Sequence, residues 1–519
     1  MFNQRRLREA VALHREGKLV QAEQAYRRLH DMNPNDSDLW HLRGLVAGEL
    51  GDAVTAARLI TEAIKLNPTV PFYQWNLGLT LEKLGETERA AELYNTLGNQ
   101  LQKTYAYQEA AEAYRKALHL DPDNAFIMCN LAVVLIRLGH HEVAIEWLEK
   151  ALTIRPNEAN IYLTLGNAFM GCGWVDRAVG CYDRALYHEP DMPEAHWTRG
   201  QAQLLRGNFQ AGWEDYEWRT RWAGFDDSFH RFDLPEWQGQ PAGELNGTLL
   251  VASEQGFGDT IQFLRYVPLL TRRGYQLVLE VPEVLHRLVV DSFPSLPVLT
   301  RAQALHDLEA GILKPAAFIR LMSLPHRFGT VYETIPGQIP YLSASPSRRD
   351  YWRLRLSDGR PGLKIGLVWA GRPENGNDAV RSMPVEKLAR LIDRPDVSFY
   401  GLQKEAILPP ELAGKITLLG PELADFSHTA AGLSCLDLLI SVDTSPVHLA
   451  GALGLPCWVM LAATPDWRWL QHGESSPWYP SLRLFRQHTA RDWDSVLGAI
   501  SYALDRFQMS EFRSQIRNY

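Results

Sequence analysis

Cysteine is scarce: five residues in 519, at positions 129, 172, 181, 435 and 457, with no Cys-x-x-Cys pair among them. An odd, scattered set excludes a disulfide framework and fits reduced thiols in a cytosol. Clustered positive charge is missing too. The chain carries a net charge of -8, and residues 1–230 account for most of it, with 24 Lys/Arg against 31 Asp/Glu. Phosphate neutralisation needs grouped Lys and Arg, so a nucleic-acid partner is not expected. No long apolar run is present. The most apolar late stretch, Leu436 to Ala463, is interrupted by Asp437, Asp443 and His448, which argues against a transmembrane helix. The first ten residues hold three arginines and no apolar core, so no secretory signal is expected. A cytoplasmic protein with room for three buried cores is the resulting expectation.

Against these absences stands a regular beat of proline. Asn33-Pro34, Asn67-Pro68, Asp121-Pro122, Arg155-Pro156 and Glu189-Pro190 fall 34, 54, 34 and 34 residues apart, and the beat stops near residue 225. A 34-residue period is that of a tetratricopeptide repeat, a pair of helices that stacks into a solenoid. Proline resets the chain direction once per repeat, and Gly51, Gly85, Gly139 and Gly173 mark the turns inside the units. Small residues followed by an aromatic (Ala22 to Tyr26, Ala110 to Tyr114, Ala178 to Tyr182) allow close helix packing. The 54-residue interval predicts an extra or lengthened helix near Glu86 to Lys103 that interrupts the stack, as a kink of the superhelix or, the favoured reading, a tolerated insertion. Asn76 and Asn130 occupy like positions in their repeats. An amide there both donates and accepts, so it suits a polypeptide backbone held in the groove.

Beyond residue 247 the texture changes to short strands ending in loops. Thr248 to Ala252, Lys364 to Trp369, Ser398 to Leu402 and Leu436 to Val442 read as strands of a parallel sheet, whose ligands bind at the carboxyl ends. After the first comes Gly256-Phe-Gly258-Asp259 with Gln262. Asp259 is either a helix cap paired with Gln262 or a proton acceptor at the mouth of a glycine turn, and both readings stand. Arg372 and Arg381 follow the second strand and suit phosphate. Asp443-Thr444-Ser445-Pro446 after the last, with Ser445 as cap, predicts a helix start fit for a diphosphate. His448 there is either a further donor or a packed histidine. Asp36-Ser-Asp38, Asp121-Pro-Asp123 and Asp492-Trp-Asp494 sit where helices begin, so they read as caps and no metal is expected.

The stretches Gly256-Phe-Gly-Asp259-Thr-Ile-Gln262, Trp369-Ala-Gly-Arg372-Pro, Asn377 to Ser382 and Asp443-Thr-Ser-Pro-Val-His448-Leu-Ala together resemble bacterial tetratricopeptide proteins with a glycosyltransferase domain. Thr464-Pro-Asp466-Trp-Arg-Trp469 and Ser476-Pro-Trp478-Tyr-Pro480 match as well. That domain is similar to the heptosyltransferases, of GT-B fold with two Rossmann-like domains. The resemblance implies a repeat array over 1–222, an acceptor-side α/β domain over 223–345 and a nucleotide-sugar-side domain over 346–519. It implies a metal-independent glycosyltransferase without cofactor, taking a nucleotide-diphospho-sugar as co-substrate and a protein Ser/Thr held by the repeats as acceptor. Asp259 would be the catalytic base. Gly256, Gly258, Gln262, Arg372, Arg381, Gln403, Asp443, Thr444, Ser445 and His448 would bind the donor. Asn375 departs from the histidine of the family's pattern. A glycan or lipopolysaccharide acceptor, or a degenerate domain serving as a protein-interaction scaffold, are the alternatives.

Overall fold

A computed structural model describes residues 2–222, 224, 232–357, 362–372 and 378–506. Asn375 and part of the 226–247 connector lie outside the described residues. The chain divides into two compact units, Met1–Ala195 and His196–Tyr519.

The first unit is a solenoid of paired antiparallel helices: α1 (Phe2–Arg15), α2 (Leu19–Met32), α3 (Ser37–Glu49), α4 (Ala53–Leu66), α5 (Pro71–Lys83), α6 (Thr87–Lys103), α7 (Tyr107–Leu120), α8 (Ala125–Arg137), α9 (His141–Ile154), α10 (Ala159–Gly171) and α11 (Val175–His188). The residue before each proline of the beat closes a second helix. Asn33, Asn67, Asp121, Arg155 and Glu189 have φ of -145°, -144°, -131°, -128° and -131°, as steric conflict with the following ring requires. Asp36 and Asn124 then cap the next first helix through their side chains.

Packing follows one rule. A small residue on each first helix receives a large side chain 16 positions later: Ala10–Tyr26, Gly44–Ile60, Gly78–Tyr94, Gly98–Tyr114, Ala132–Leu148 and Gly166–Tyr182. A Cβ at Gly78, Gly98 or Gly166 would lie 2.5, 2.5 or 2.4 Å from the partner ring. Hydrogen bonds repeat with it, since Tyr114 Oη donates to Asn99 Oδ1 at 2.8 Å and Tyr182 Oη to Asn167 Oδ1 at 2.8 Å.

This rule explains the 54-residue interval. Helix α6 carries Tyr94, the large residue of the unit begun by α5, and four residues later Gly98, the small residue of the unit completed by α7. One long helix is therefore the second helix of one repeat and the first of the next. The run Tyr94-Asn-Thr-Leu-Gly-Asn99 recurs as Tyr162-Leu-Thr-Leu-Gly-Asn167 in α10. The expected lengthened helix is present, but it overlaps two repeats instead of interrupting the stack.

The second unit opens on α12 (Pro193–Leu205, whose first three residues belong to the first unit) and α13 (Phe209–Tyr216). Trp213 of α13 is buried and donates its indole N–H to Thr330 O at 3.0 Å. Two parallel sheets follow. The first comprises β1 (Leu249–Ala252), β2 (Leu277–Val281), β3 (Val298–Thr300) and β4 (Ala317–Arg320), in the order β3-β2-β1-β4. The second comprises β5 (Leu363–Val368), β6 (Val397–Gly401), β7 (Ile416–Leu418), β8 (Leu438–Val442), β9 (Cys457–Leu461) and β10 (Leu482–Arg486), in the order β10-β9-β8-β5-β6-β7. Fully buried strands such as β1, β2, β8 and β9 read as unbroken apolar runs because helices cover both faces. The strand order reverses between β5 and β8, which leaves a crevice at their carboxyl ends.

Candidate functional site

In the first unit first helices touch their successors in two runs, α3 with α5, and α6 with α8 and α8 with α10, while α5 meets α6 as its antiparallel partner. Polar side chains bridge successive first helices within each run at a spacing of 35 residues. Asn76 Nδ2 donates to His41 Nε2 at 3.0 Å, Asn130 Nδ2 to Asn95 Oδ1 at 3.2 Å, and Cys129 Sγ lies 3.5 Å from Thr164 Oγ1. Burial holds His41 down to about 4, so its ring is neutral and can accept. Asn130 also reaches Asn99 Oδ1 at 3.5 Å. Asn76 and Asn130, read from the sequence as equivalent, each bridge to the preceding first helix, at His41 and at Asn95. Asn95 and Asn99 join them because α6 doubles as a first helix.

In the second unit the strand-end loops converge. The loop after β1 leads into α14 (Phe257–Phe263), with Gly256 as N-cap. Asp259 is the third residue of that helix, not its cap. Its Oδ2 accepts the Gly256 N–H at 2.8 Å, close to the positive helix start. Its Oδ1 accepts from Arg468 Nη2. Arg468 also donates to Gln262 Oε1 at 2.6 Å and to Asp466 Oδ1 at 2.8 Å, and is only 6% exposed. Burial raises the Asp259 carboxyl above its ordinary range, with Arg468 opposing.

The helix after β8, Ser445–Ala452, starts one residue earlier than expected, with Thr444 as N-cap and Pro446 in its first turn. His448 is 5% exposed, its Nδ1 lies 3.1 Å from Tyr479 Oη, and its ring stacks on Trp469 at 5.5 Å. Gly258 leaves room for that ring, since a Cβ there would lie 2.8 Å from His448 Cδ2. Burial pulls His448 well below the usual range, so of the two readings the packed, neutral histidine describes its setting. Burial, reinforced by Asp466, pushes Asp443 up to about 6. Arg381 stands 3.9 Å from Asp378, with a buried Nε that has no hydrogen-bond partner. Arg372 lies over the Phe257 ring at 4.6 Å, and Gln403 Oε1 accepts from Ala370 N at 3.4 Å.

The sequence-predicted residues therefore sit at the ends of β1, β5, β6 and β8. Arg468, which links the first loop to Asp466, was missed as a site residue. Its only signal was the Asp466-Trp-Arg-Trp469 run. A cavity of about 1190 Å³ lies elsewhere, against β10 and the helix Trp493–Asp505, lined by Trp458, Arg486 and Tyr502 among others.

The raised Asp443 carboxyl predicts a stability that depends on pH. An unfolded aspartate titrates near 4, so its raised folded value favours the folded state at low pH and that contribution is lost as pH rises through about 6. Asp443→Asn should flatten this slope and raise stability above it. Urea midpoints at about pH 5 and about pH 8 check this; an unchanged slope would show that Asp443 is solvated.

Family models for the tetratricopeptide repeat match residues 41–100, 96–157 and 163–217. FlbA of Caulobacter vibrioides is 25% identical over 515 residues, covering 91% of this chain and 84% of its own length. A DnaJ subfamily C member 7 homologue of Schizosaccharomyces pombe is 33% identical over 131 residues, or 24% of this chain and 26% of that protein. Among solved structures, MamA from Desulfovibrio magneticus RS-1 is 19% identical over 35% of this chain and 92% of its own, at a TM-score of 0.22. The amino-terminal array is thus a tetratricopeptide solenoid. The expectation of an enzyme is corrected. The family models that match are those of repeat stretches, which carry protein–protein interaction and give a transferase no support. Glycosyl transfer, a GT-B fold and a nucleotide-sugar site are corrected with it, whereas the tetratricopeptide repeats and a protein–protein interaction are supported. Among the described residues no helix is long and apolar enough to cross a membrane.

Proposed function

We propose that this chain is a protein-interaction scaffold whose repeat array holds an extended polypeptide of a partner protein. The amides on the first helices carry the reading. Asn76, Asn95, Asn99 and Asn130 lie on touching first helices, and each spends only part of its donor and acceptor capacity on a neighbour. A primary amide offers two donors and one acceptor oxygen, so what is left over matches the alternating N–H and C=O of any backbone. Functionally the reading divides the chain into the array, 1–222, and two α/β lobes, 223–345 and 346–519, consistent with one sheet lying within each lobe. The Asp259–Arg468–Asp466 cluster then serves as a charged joint between loops, since its groups satisfy one another.

The test is fluorescence anisotropy of extended peptides with the full chain. Replacing Asn76, Asn99 and Asn130 together by alanine should weaken binding by about tenfold or more, as each net hydrogen bond contributes about 0.5–1.5 kcal/mol. Circular dichroism should stay unchanged. Equal affinity in a folded triple variant would remove the groove from the account.

A further inference from the structure

The cavity of about 1190 Å³ along β10 exceeds the roughly 300–1,000 Å³ of ordinary small-molecule sites, and it shares no residue with the strand-end loops described above. Its floor is apolar. Trp458 of β9 and Phe485 of β10 pack with ring centroids 5.3 Å apart, and both line it. The closing helix, Trp493–Asp505, packs Leu497, Ile500 and Leu504 into the core of the sheet. Ser495, Ala499, Tyr502 and, one residue past its end, Arg506 are spaced at i, i+4, i+7 and i+11, and this side of the helix lines the cavity. Ala499 and Tyr502 are exposed there.

Polar groups gather where this helix ends. The helix follows β10 and packs on it, so it returns antiparallel and its last turn stands beside the first residues of the strand. Ser481, Arg483, Tyr502 and Arg506 line the cavity at that end. Ser481 Oγ is buried and has no hydrogen-bond partner. Arg506 Nη1 donates to Tyr502 Oη at 2.8 Å, and among the described residues Arg506 has no carboxylate partner. Arg483 holds Glu474 at 3.0 Å. Arg486 is engaged by the main chain, donating to Trp469 O, Leu470 O and Gly473 O at 2.6, 3.0 and 2.8 Å. Arg483 and Arg506 against Glu474 leave one positive charge in excess here, on a chain of net charge -8. Arg506 also suits a helix carboxyl end, and Arg483 with Glu474 is an ordinary surface pair. Neither role accounts for the open apolar trough beside them or for the unpaired hydroxyl.

We infer that this trough binds a long-chain carboxylate, its hydrocarbon on Trp458, Phe485 and Ala499 and its head on Arg483, Arg506 and Ser481 Oγ. An excess of one positive charge matches a monoanion and leaves a phosphate dianion half neutralised. Burial of the chain supplies the hydrophobic gain, and the guanidinium and hydroxyl donors keep the head hydrogen-bonded as it leaves bulk water. The site lies wholly within the second unit and does not depend on what the repeat array holds.

The experiment is titration calorimetry of the full chain with laurate and with dodecyltrimethylammonium, each below its micelle concentration, which sets opposite heads on the same apolar chain. Laurate should saturate a single site and bind at least about tenfold more tightly than the cation. Decanoate, shorter by two methylenes, should bind about tenfold more weakly than laurate, since each buried methylene contributes about fourfold. The R483Q/R506Q variant should cut laurate affinity by about tenfold and leave dodecyltrimethylammonium no weaker. Ala499→Phe fills the trough from an exposed position outside the core, so it should weaken laurate by about tenfold with an unchanged melting curve. No saturable laurate binding, or equal affinity for the two amphiphiles, overturns the inference. So does an unchanged laurate affinity in a folded R483Q/R506Q or Ala499→Phe variant. Every one of these outcomes leaves the amide groove standing.

Discussion

Glu254→Ala should be among the most damaging single changes in the second unit, lowering its stability by about 3–5 kcal/mol, the cost of breaking a buried ion pair from one side. Arg219 follows α13 and is 0% exposed; Glu254 follows β1 and is 1% exposed. The guanidinium donates to Glu254 at 3.0 and 2.6 Å, to Glu217 at 2.8 Å, to Ser323 Oγ at 2.8 Å and to Tyr216 O at 3.2 Å. Glu254 in turn accepts the Met322 N–H at 3.1 Å. Losing Glu254 strands the guanidinium near Glu217, which cannot satisfy all its donors, and leaves the Met322 amide unpaired. Replacing both residues by methionine should cost less than Glu254→Ala alone, because it removes the charges together. Urea unfolding followed by tryptophan fluorescence reads the difference. A single variant within about 1 kcal/mol of the parent would mean that water reaches the pair.

The second large effect belongs to the shared helix. Tyr114→Ala should cost about 3–5 kcal/mol, as other buried aromatic truncations do, and Tyr94→Ala a similar amount. Both side chains are 0% exposed, and each packs against a glycine, at Gly98 and Gly78. Tyr94 also donates to Glu82 at 2.7 Å. Because α6 serves two repeats, damage on either side of it unlinks the helices before it from those after it. A solenoid is held by neighbour contacts alone, so the melt should separate into two transitions. Tyr26→Ala, in the first repeat, should loosen only that end. Hydrogen exchange that leaves residues 87–120 protected in Tyr114→Ala would show that α6 does not couple the two halves.

How much of this was legible in sequence differs between the two units. Proline and the residue before it mark where a second helix must end, because the constraint is local and steric. That is why the 34-residue beat predicts the solenoid. The overlap in α6 removes a turn, and with it the proline, so the beat could only register a gap. The information was present in the 16-residue spacing of Gly98 and Tyr114 and in the recurring Tyr-x-Thr-Leu-Gly-Asn run. In the α/β unit, strand ends and helix starts were legible for the same local reason. Helix starts still shifted, from Asp259 to Gly256 and from Ser445 to Thr444, since several nearby residues could cap and only the packed backbone chooses.

The sequence by itself determined the repeat period, the place where the array gives way to parallel strands, and the like positions of Asn76 and Asn130 in their repeats. All of these follow from interactions within a few residues or from strict periodicity. Only the tertiary structure decided that α6 belongs to two repeats and that His448 is packed. It alone placed Arg468 on Asp259, 209 residues away, and Arg219 on Glu254. An arginine can pair with any carboxylate its reach allows, so spacing along the chain does not select the partner; burial together in the fold does.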